Sequence, residues 1–332
     1  MSRSVPPRAR RLIVATILTV ATGCDKANAG LKMGGKAEGG VEPPASAQLD
    51  LMKRPAILFQ VFGGRDDPRM IPLAALEGGV LKKIVLSSDN WRVFDTLYTR
   101  AGDSVTVYRD GRAAGAAKIR QRMWEKGTPL YTLPGCERLT PLAAVTVAGA
   151  PESDYTVEYL ASTVKLGVAH DEIATLPSAE AARLARKVGE AVASDHAIGP
   201  EALADLDFRA IAVPTGATRQ PTLVAAFMPP PALHADTRSG ERRTSHVFAL
   251  ADARPDGYAV TFKHVITASG DDVDFRRYVD HLDLDGDRID EIVLEAWKPG
   301  GDTFLLVLSF RGGAWEETFR GRESWCLDEK VK

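Results

Sequence analysis

The chain has 332 residues, of which 45% are hydrophobic and 26% charged, and its formal net charge is −2. This length allows one or two domains with a sizeable buried core. The near-neutral charge and the lack of interleaved basic and aromatic residues argue against a nucleic-acid partner, so none is predicted.

The first 24 residues have the pattern of an export signal. An apolar run from Leu12 to Val20 is too short to cross roughly 30 Å of hydrocarbon as a mature helix, but it suits the apolar part of a signal peptide. The run ends in Ala21-Thr22-Gly23-Cys24, which resembles the lipobox of bacterial lipoproteins. The basic start of the segment is formed by Arg3, Arg8, Arg10 and Arg11.

The resemblance implies that residues 1–24 form a lipoprotein signal peptide and that Cys24 is lipidated and becomes the new N-terminus. The protein is then anchored in a membrane of the bacterial cell envelope and faces the periplasm or the exterior. Ala21 departs from the Leu more usual at its position. An ordinary cleaved signal and a short uncleaved anchor remain the alternatives. Residues 25–52 are rich in Gly, Pro, Ala and Ser, which predicts a flexible tether.

Three cysteines are present, so lipidation of Cys24 leaves Cys136 and Cys326 in an oxidising compartment. We predict a disulfide between these two. The chain-entropy relation values closure of so long a loop at roughly 5 kcal/mol. The alternative is a pair of separate buried thiols.

Residues 53–150 are predicted to form a β-rich domain. Residues 56–62 and 81–86 have the composition of buried strands. Residues 104–108 alternate polar and apolar side chains before Asp110-Gly111, and this favours a hairpin whose second strand is formed by residues 114–120. A Gly- and Pro-containing stretch near residues 148–153 is the predicted boundary.

Residues 151–332 are predicted to form an α+β domain that ends in a β-meander. The principal helix covers about 178–195, with Ser178 as its N-cap, and a short helical turn follows at 200–206. The remaining strands are expected in pairs, and the whole fold class is α+β, mostly antiparallel β-sheet with one principal helix. These strands are 208–213 with 222–228, 245–250 with 258–265, and then 291–296, 304–310 and 314–319.

An acidic loop runs from Asp283 to Glu291. Oxygen ligands at alternate positions of a short loop suit a hard cation such as Ca²⁺. The predicted ligands are the carboxylates of Asp283, Asp285, Asp287 and Glu291 and the backbone carbonyl of Ile289. A structural Ca²⁺ ion would order this turn.

The loop and the apolar strand after it resemble the calcium-binding loop of FG-GAP (integrin α-type) repeats. Family members bind Ca²⁺ through these positions, usually several times over in a β-propeller. Here one loop of this kind is present, and Arg288 replaces the second glycine of the family pattern. A solvated turn without metal is the alternative, because Asp and Gly are common turn residues.

The sequence contains no recognisable catalytic motif, so no catalytic residue is predicted. The favoured function is a non-enzymatic, lipid-anchored envelope protein that acts as a binding or structural module, with an unidentified protein or glycan partner. The alternatives are an extracytoplasmic hydrolase whose active site is assembled from distant residues, and an accessory subunit of an envelope assembly.

Overall fold

A computed structural model describes residues 50–87, 90–125, 128–129, 142–148, 156–167, 173–230, 244–268, 274–298 and 303–322. Its helices are α1 (Trp91–Tyr98), α2 (Ser178–Asp195) and α3 (Pro200–Ala204), and a 3-10 turn covers Leu51–Lys53. The strands of the first half are β1 (Ala56–Gly64), β2 (Arg69–Glu77), β3 (Val80–Lys83), β4 (Ser104–Arg109), β5 (Arg112–Gln121), β6 (Trp124–Glu125), β7 (Thr128–Pro129), β8 (Ala143–Ala148) and β9 (Thr156–Ser162). Those of the second half are β10 (Asp207–Val213), β11 (Thr222–Met228), β12 (Thr244–Arg254), β13 (Gly257–Ala268), β14 (Phe275–Leu282), β15 (Glu291–Trp297), β16 (Thr303–Arg311) and β17 (Ala314–Arg320).

The first sheet closes on itself. Its strand order is β1-β9-β4-β5-β8-β2, an additional β1–β2 pairing joins the two ends, and β3 continues from β2 outside the ring. We call β1–β5, β8 and β9 the closed sheet. Its interior is filled from alternate positions of each strand, as in Ile57, Phe59 and Val61 of β1, and α1 adds Phe94 to the same core. β9 follows the predicted boundary near residue 150, yet it pairs with β1 and β4, so a strand from the second predicted region completes this sheet.

Two four-stranded antiparallel sheets form the rest of the described fold. The outer sheet contains β10–β13 and the middle sheet contains β14–β17, each in sequential order. β11 is buried on both faces: Leu223, Ala225 and Phe227 pack towards α2, whereas the intervening residues pack on the middle sheet. The middle sheet is buried on its other face against the closed sheet, where Val293 joins a core with residues of β1 and β4. The layers therefore follow the order α2, outer sheet, middle sheet, closed sheet.

Close approach between α2 and the outer sheet depends on a glycine. A Cβ at Gly189 would lie 2.6 Å from a ring carbon of Phe227. Glycine in a helix interior costs about 1 kcal/mol of helix propensity relative to alanine. Its lack of a side chain allows α2 to pack directly on the sheet.

Buried polar side chains connect the layers. Asp252 of β12 is fully buried, and its carboxylate accepts hydrogen bonds from Thr222 Oγ1 (2.6 Å), from the Thr261 hydroxyl and from Trp315 Nε1 of the middle sheet (2.8 Å). Arg277 of the middle sheet forms ion pairs with Glu158 of the closed sheet, and these bonds hold the pKa of Arg277 above its usual value although burial opposes this.

Most sequence-based predictions of secondary structure agree with these elements. The antiparallel β-rich fold, the principal helix, the helical turn at residue 200 and all of the expected strand pairs of residues 208–319 are confirmed. At the β4–β5 hairpin, Asp110 and Gly111 have φ values of 51° and 71°, as a type I′ turn requires.

Three details differ from the predictions. Ser178 is the first residue of α2 rather than its N-cap, because Pro177 has an extended conformation and the chain turns helical directly after it. The strand expected at 81–86 is shorter and lies at Val80–Lys83. The 3-10 turn and elements α1, β2, β6, β7, β8, β9 and β14 had no counterpart among the predictions. In the described part of the chain, no helix combines the length and the apolar character needed to cross a bilayer.

Candidate functional site

The acidic loop connects β14 to β15, two neighbouring strands of the middle sheet. It takes this shape because two of its residues adopt positive φ: Gly286 at 86° and Arg288 at 72°. Arg288 therefore has a conformation that glycine adopts more readily, at the position where the FG-GAP pattern has its second glycine.

Three of the predicted ligands converge. One carboxylate oxygen from each of Asp283, Asp285 and Asp287 lies within 4.8 Å of the other two. Asp283 is buried, and the other two are exposed. Among the described residues, Glu291 is outside this group of converging oxygens. Its Oε2 atom instead accepts a hydrogen bond of 2.8 Å from the backbone N–H of Leu284 at the start of the loop.

Backbone N–H groups of the loop point at the same carboxylates. Asp283 accepts from Gly286 (2.7 Å) and from Arg288 (3.3 Å). Asp287 accepts from the N–H of Ile289 (2.7 Å). These bonds hold the side chains inside the turn, and each carboxylate oxygen keeps a lone pair for a further partner. They would also stabilise the loop without a metal.

The loop concentrates negative charge, and the carboxyl groups of Asp283 and Glu291 are buried. Burial raises the pKa of Glu291 to about 8, and the charges of Asp285 and Asp287 contribute to this. The pKa of Asp285 is also raised, chiefly by burial and then by its two neighbouring aspartates. A bound cation would offset both effects, because it favours the ionised form of each carboxyl group.

A second group of buried polar residues was not recognised from the sequence as a site. His281 of β14 and Asp290 of the loop are 3% and 1% exposed, and both line a cavity of about 730 Å³. The Nε2 atom of His281 lies 3.6 Å from Asp290 Oδ2, and its Nδ1 atom lies 2.8 Å from the Tyr278 hydroxyl. Burial, together with three nearby aspartates, raises the pKa of Tyr278 well above its usual value, so its hydroxyl stays protonated.

The β4–β5 turn closes over this pair. A Cβ at Gly111 would lie 2.8 Å from both His281 Nε2 and Asp290 Oδ2, so only glycine fits there. The Gly111 N–H donates to Asp280 Oδ1 (3.3 Å). The closed sheet and the middle sheet therefore meet at the wall of the cavity. The only sequence signal for this arrangement was that Asp290 and His281 lie within and beside the acidic loop.

The remaining predicted residues lie outside the described part of the chain. These are Cys24, the predicted lipidation site, and Cys136 and Cys326, the predicted disulfide partners. Ile289 is described, and its N–H takes part in the loop as given above.

No protein-family model, curated protein or solved structure matches this chain.

Proposed function

We propose that this protein is an exported, lipid-anchored component of the bacterial cell envelope that acts as a binding or structural module. The proposal for its location rests on the basic and apolar leader and on Cys24 at the end of a lipobox-like sequence. A tether of residues 25–52 would hold the β-rich body away from the membrane surface. The disulfide between Cys136 and Cys326 belongs to the same proposal, because it requires an oxidising compartment.

Location can be tested by metabolic labelling with a fatty-acid analogue and by membrane fractionation. We expect the full chain to incorporate label and to sediment with membranes. A Cys24→Ala variant should lose the label, while a Cys136→Ala variant should retain it. Equal labelling of the wild type and of the Cys24→Ala variant would contradict lipidation at this residue.

We further propose that the acidic loop binds a structural Ca²⁺ ion. The observation that carries this proposal is the convergence of the Asp283, Asp285 and Asp287 oxygens within 4.8 Å of one another. Oxygen-only ligands at this spacing suit a hard cation. The predicted ligand set also includes the Glu291 carboxylate and the Ile289 carbonyl oxygen. These two groups would complete the coordination of the ion by moving towards it.

The ion would act by stabilising the β14–β15 connection at the centre of the fold. Extracellular calcium modules bind with dissociation constants on the order of 10⁻⁴ to 10⁻³ M. At about 10 mM Ca²⁺ such affinities raise the free energy of unfolding by roughly 1.4 to 2.7 kcal/mol. Binding therefore stabilises the sheet to a measurable extent.

Calorimetric titration and thermal unfolding of the full chain with Ca²⁺ test this proposal. We expect heat and an increased melting temperature for the wild type and neither for Asp285→Ala. Asp256→Ala, which removes an exposed acidic residue from the β12–β13 turn, is the matched control and should respond like the wild type. Identical responses of the wild type and Asp285→Ala would refute the site.

One observation favours the alternative of an extracytoplasmic hydrolase: the cavity brings His281 and Asp290 together with titratable groups from distant segments, including Asp110 and Lys165. A histidine beside a carboxylate can activate water as a general base. Release of product from chromogenic ester and amide substrates by the purified chain, abolished by Asp290→Ala, would support this function. No release from any substrate, or equal release by both proteins, would count against it.

A further inference from the structure

Exposed apolar side chains lie around helix α1, which packs on the core of the closed sheet. Met52 of the 3-10 turn is 76% exposed, Val85 before the helix is 47% exposed and Val93 on the helix is 41% exposed. The opposite side of α1 carries Phe94 and Tyr98, which are buried in the core. The outer side of α1 is therefore exposed in the described part of the chain, and it has apolar neighbours at both ends.

These exposed residues belong to one region of the surface. The carbonyl oxygen of Val85 accepts a hydrogen bond of 2.9 Å from Nδ2 of Asn90, the residue that precedes α1. At the other end of the helix, burial raises the pKa of Tyr98, and the nearby charge of Arg54 opposes this shift. Arg54 directly follows the 3-10 turn, so this turn lies beside the end of α1. We call the exposed residues around the helix the tether-side face: Met52, Lys53, Arg54, Lys83, Val85, Arg92, Val93 and Arg100.

The tether-side face is positively charged. It contains five exposed cations, none of which forms an ion pair in the described part of the chain: Lys53, Arg54, Lys83, Arg92 and Arg100. The exposed acidic residues of the same segments (50–54, 83–87 and 90–103) are Asp50 and Asp103, which leaves a formal charge of +3. Asp89, which lies outside the described residues, reduces it to +2. The whole chain carries −2, so positive charge is concentrated on this face.

The predicted tether joins the body at this face. The described chain begins at residue 50, and residue 51 starts the 3-10 turn that carries Met52. A flexible Gly-rich segment of the length of residues 25–49 has a root-mean-square span of roughly 25–30 Å. A body on such a tether leaves the membrane surface and returns to it, and it stays at a high local concentration of lipid. The tether-side face is the part of the body nearest to the anchored end of the chain.

We propose that the tether-side face binds the surface of an anionic phospholipid bilayer. This proposal rests on the proposed lipid anchor at Cys24, which brings such a surface within reach. The five cations lie against the lipid phosphates, and Met52 and Val93 enter the boundary between headgroups and acyl chains. A single acyl chain holds a protein only weakly, so a basic and apolar contact of this kind adds to the anchor.

Sedimentation with lipid vesicles tests this proposal on a chain that begins at Asp25. Residues 46–332 form one compact unit, and this chain contains all of it but has neither leader nor lipid. We expect it to bind vesicles that contain 40% phosphatidylglycerol in 0.1 M NaCl and to bind pure phosphatidylcholine vesicles at least tenfold more weakly. Fatty-acid labelling tests the anchor at Cys24 separately, so the anchor and the face can fail independently.

Reversal of two charges assigns the binding to the face. Each cation near an anionic surface strengthens binding about fivefold. Lys53→Glu combined with Lys83→Glu should therefore weaken binding to phosphatidylglycerol vesicles at least tenfold. Lys187→Glu combined with Lys263→Glu is the matched control, because both residues are exposed on the α2 and outer-sheet side and the change in net charge is the same. This control should bind within about twofold of the wild type.

The apolar contribution has its own pair of variants. Met52→Ser combined with Val93→Ser should weaken binding at least threefold, because apolar groups that enter the bilayer boundary are lost. Val164→Ser combined with Val260→Ser removes two valines that are 44% and 42% exposed elsewhere, and it should bind like the wild type.

The proposal is supported if phosphatidylglycerol vesicles bind the wild type and both controls and bind the two tether-side variants more weakly. It is overturned if the wild type does not sediment with these vesicles, or if either tether-side variant binds as its control does. It is also overturned if the chain forms dimers without vesicles and Met52→Ser with Val93→Ser abolishes them, because the face would then be an interface between two copies.

Discussion

His246 of the outer sheet is hydrogen-bonded through both of its ring nitrogens, and one of these bonds reaches the middle sheet. Its Nδ1 lies 3.0 Å from the carbonyl oxygen of Phe227, and its Nε2 lies 3.0 Å from the backbone nitrogen of Arg276. Because the Arg276 N–H donates to Nε2, Nε2 is unprotonated, and Nδ1–H must donate to Phe227. The native contacts therefore require the neutral ring, and protonation would break the bond to Arg276.

The surroundings of this side chain oppose protonation strongly. Burial, with smaller contributions from the neighbouring His264 and Arg276, lowers the pKa of His246 to about 3, and the bond to Phe227 opposes this shift. In the unfolded chain a histidine has a pKa of about 6.5. Between these values the unfolded state binds more protons, so stability from this residue is present above pH 6.5 and is lost as the pH falls. The loss is about 2 kcal/mol between pH 7 and pH 5 and roughly 4 kcal/mol between pH 7 and pH 3.

Urea unfolding of the full chain at pH 7 and pH 5, followed by tryptophan fluorescence and circular dichroism, measures this effect. His246→Asn removes the titrating ring and leaves the Arg276 N–H without its acceptor, so we expect a loss of about 1–3 kcal/mol at pH 7. The decrease in stability between pH 7 and pH 5 should then be about 2 kcal/mol smaller than in the wild type. His196→Asn, which removes an exposed imidazole at the end of α2, is the control and should retain the wild-type decrease. If the stability of His246→Asn decreases between pH 7 and pH 5 as much as that of the wild type, protonation of His246 is not the cause of the wild-type decrease.

Two further substitutions test the packing between layers. Gly189→Ala should lower the free energy of unfolding by about 1–3 kcal/mol, because the new methyl group overlaps the ring of Phe227, whereas Gly199→Ala, whose methyl group meets open space, should change it by less than about 0.5 kcal/mol. Asp252→Ala should cost about 2–4 kcal/mol, because its buried hydroxyl and indole donors lose their acceptor, and Asp256→Ala should again be nearly neutral. Chemical denaturation measures the free energy of unfolding of all four variants. If a variant and its control lose equal stability, the packing described at that site is contradicted.

The elements predicted correctly are those whose signals are local. The hairpin at Asp110-Gly111 follows from two residues that tolerate positive φ between alternating strands. Helix α2 has apolar side chains at helical spacing, and its start is marked by Pro177. The acidic loop joins two neighbouring strands, and one carboxylate oxygen from each of its aspartates Asp283, Asp285 and Asp287 lies within 4.8 Å of the other two.

The elements that were missed have signals that depend on distant partners. β14 contains two arginines, an aspartate and a histidine, which is an unusual composition for a largely buried strand. Its Arg277 forms an ion pair with Glu158 of the closed sheet, and its Asp280 accepts a hydrogen bond from the Gly111 N–H of the β4–β5 turn. Helix α1 has eight residues, and its buried face is defined by the core that Phe94 enters.

The sequence by itself determined the β-rich character, the strand pairs joined by short turns and the position of the acidic loop, because each depends on residues close together in the chain. Only the tertiary structure decided that the first sheet closes through β9, that the middle sheet is covered on both faces and that His281 and Asp290 share a cavity with the β4–β5 turn. Those features depend on contacts between apolar faces and buried polar groups that are distant in the chain, and no local pattern carries that information.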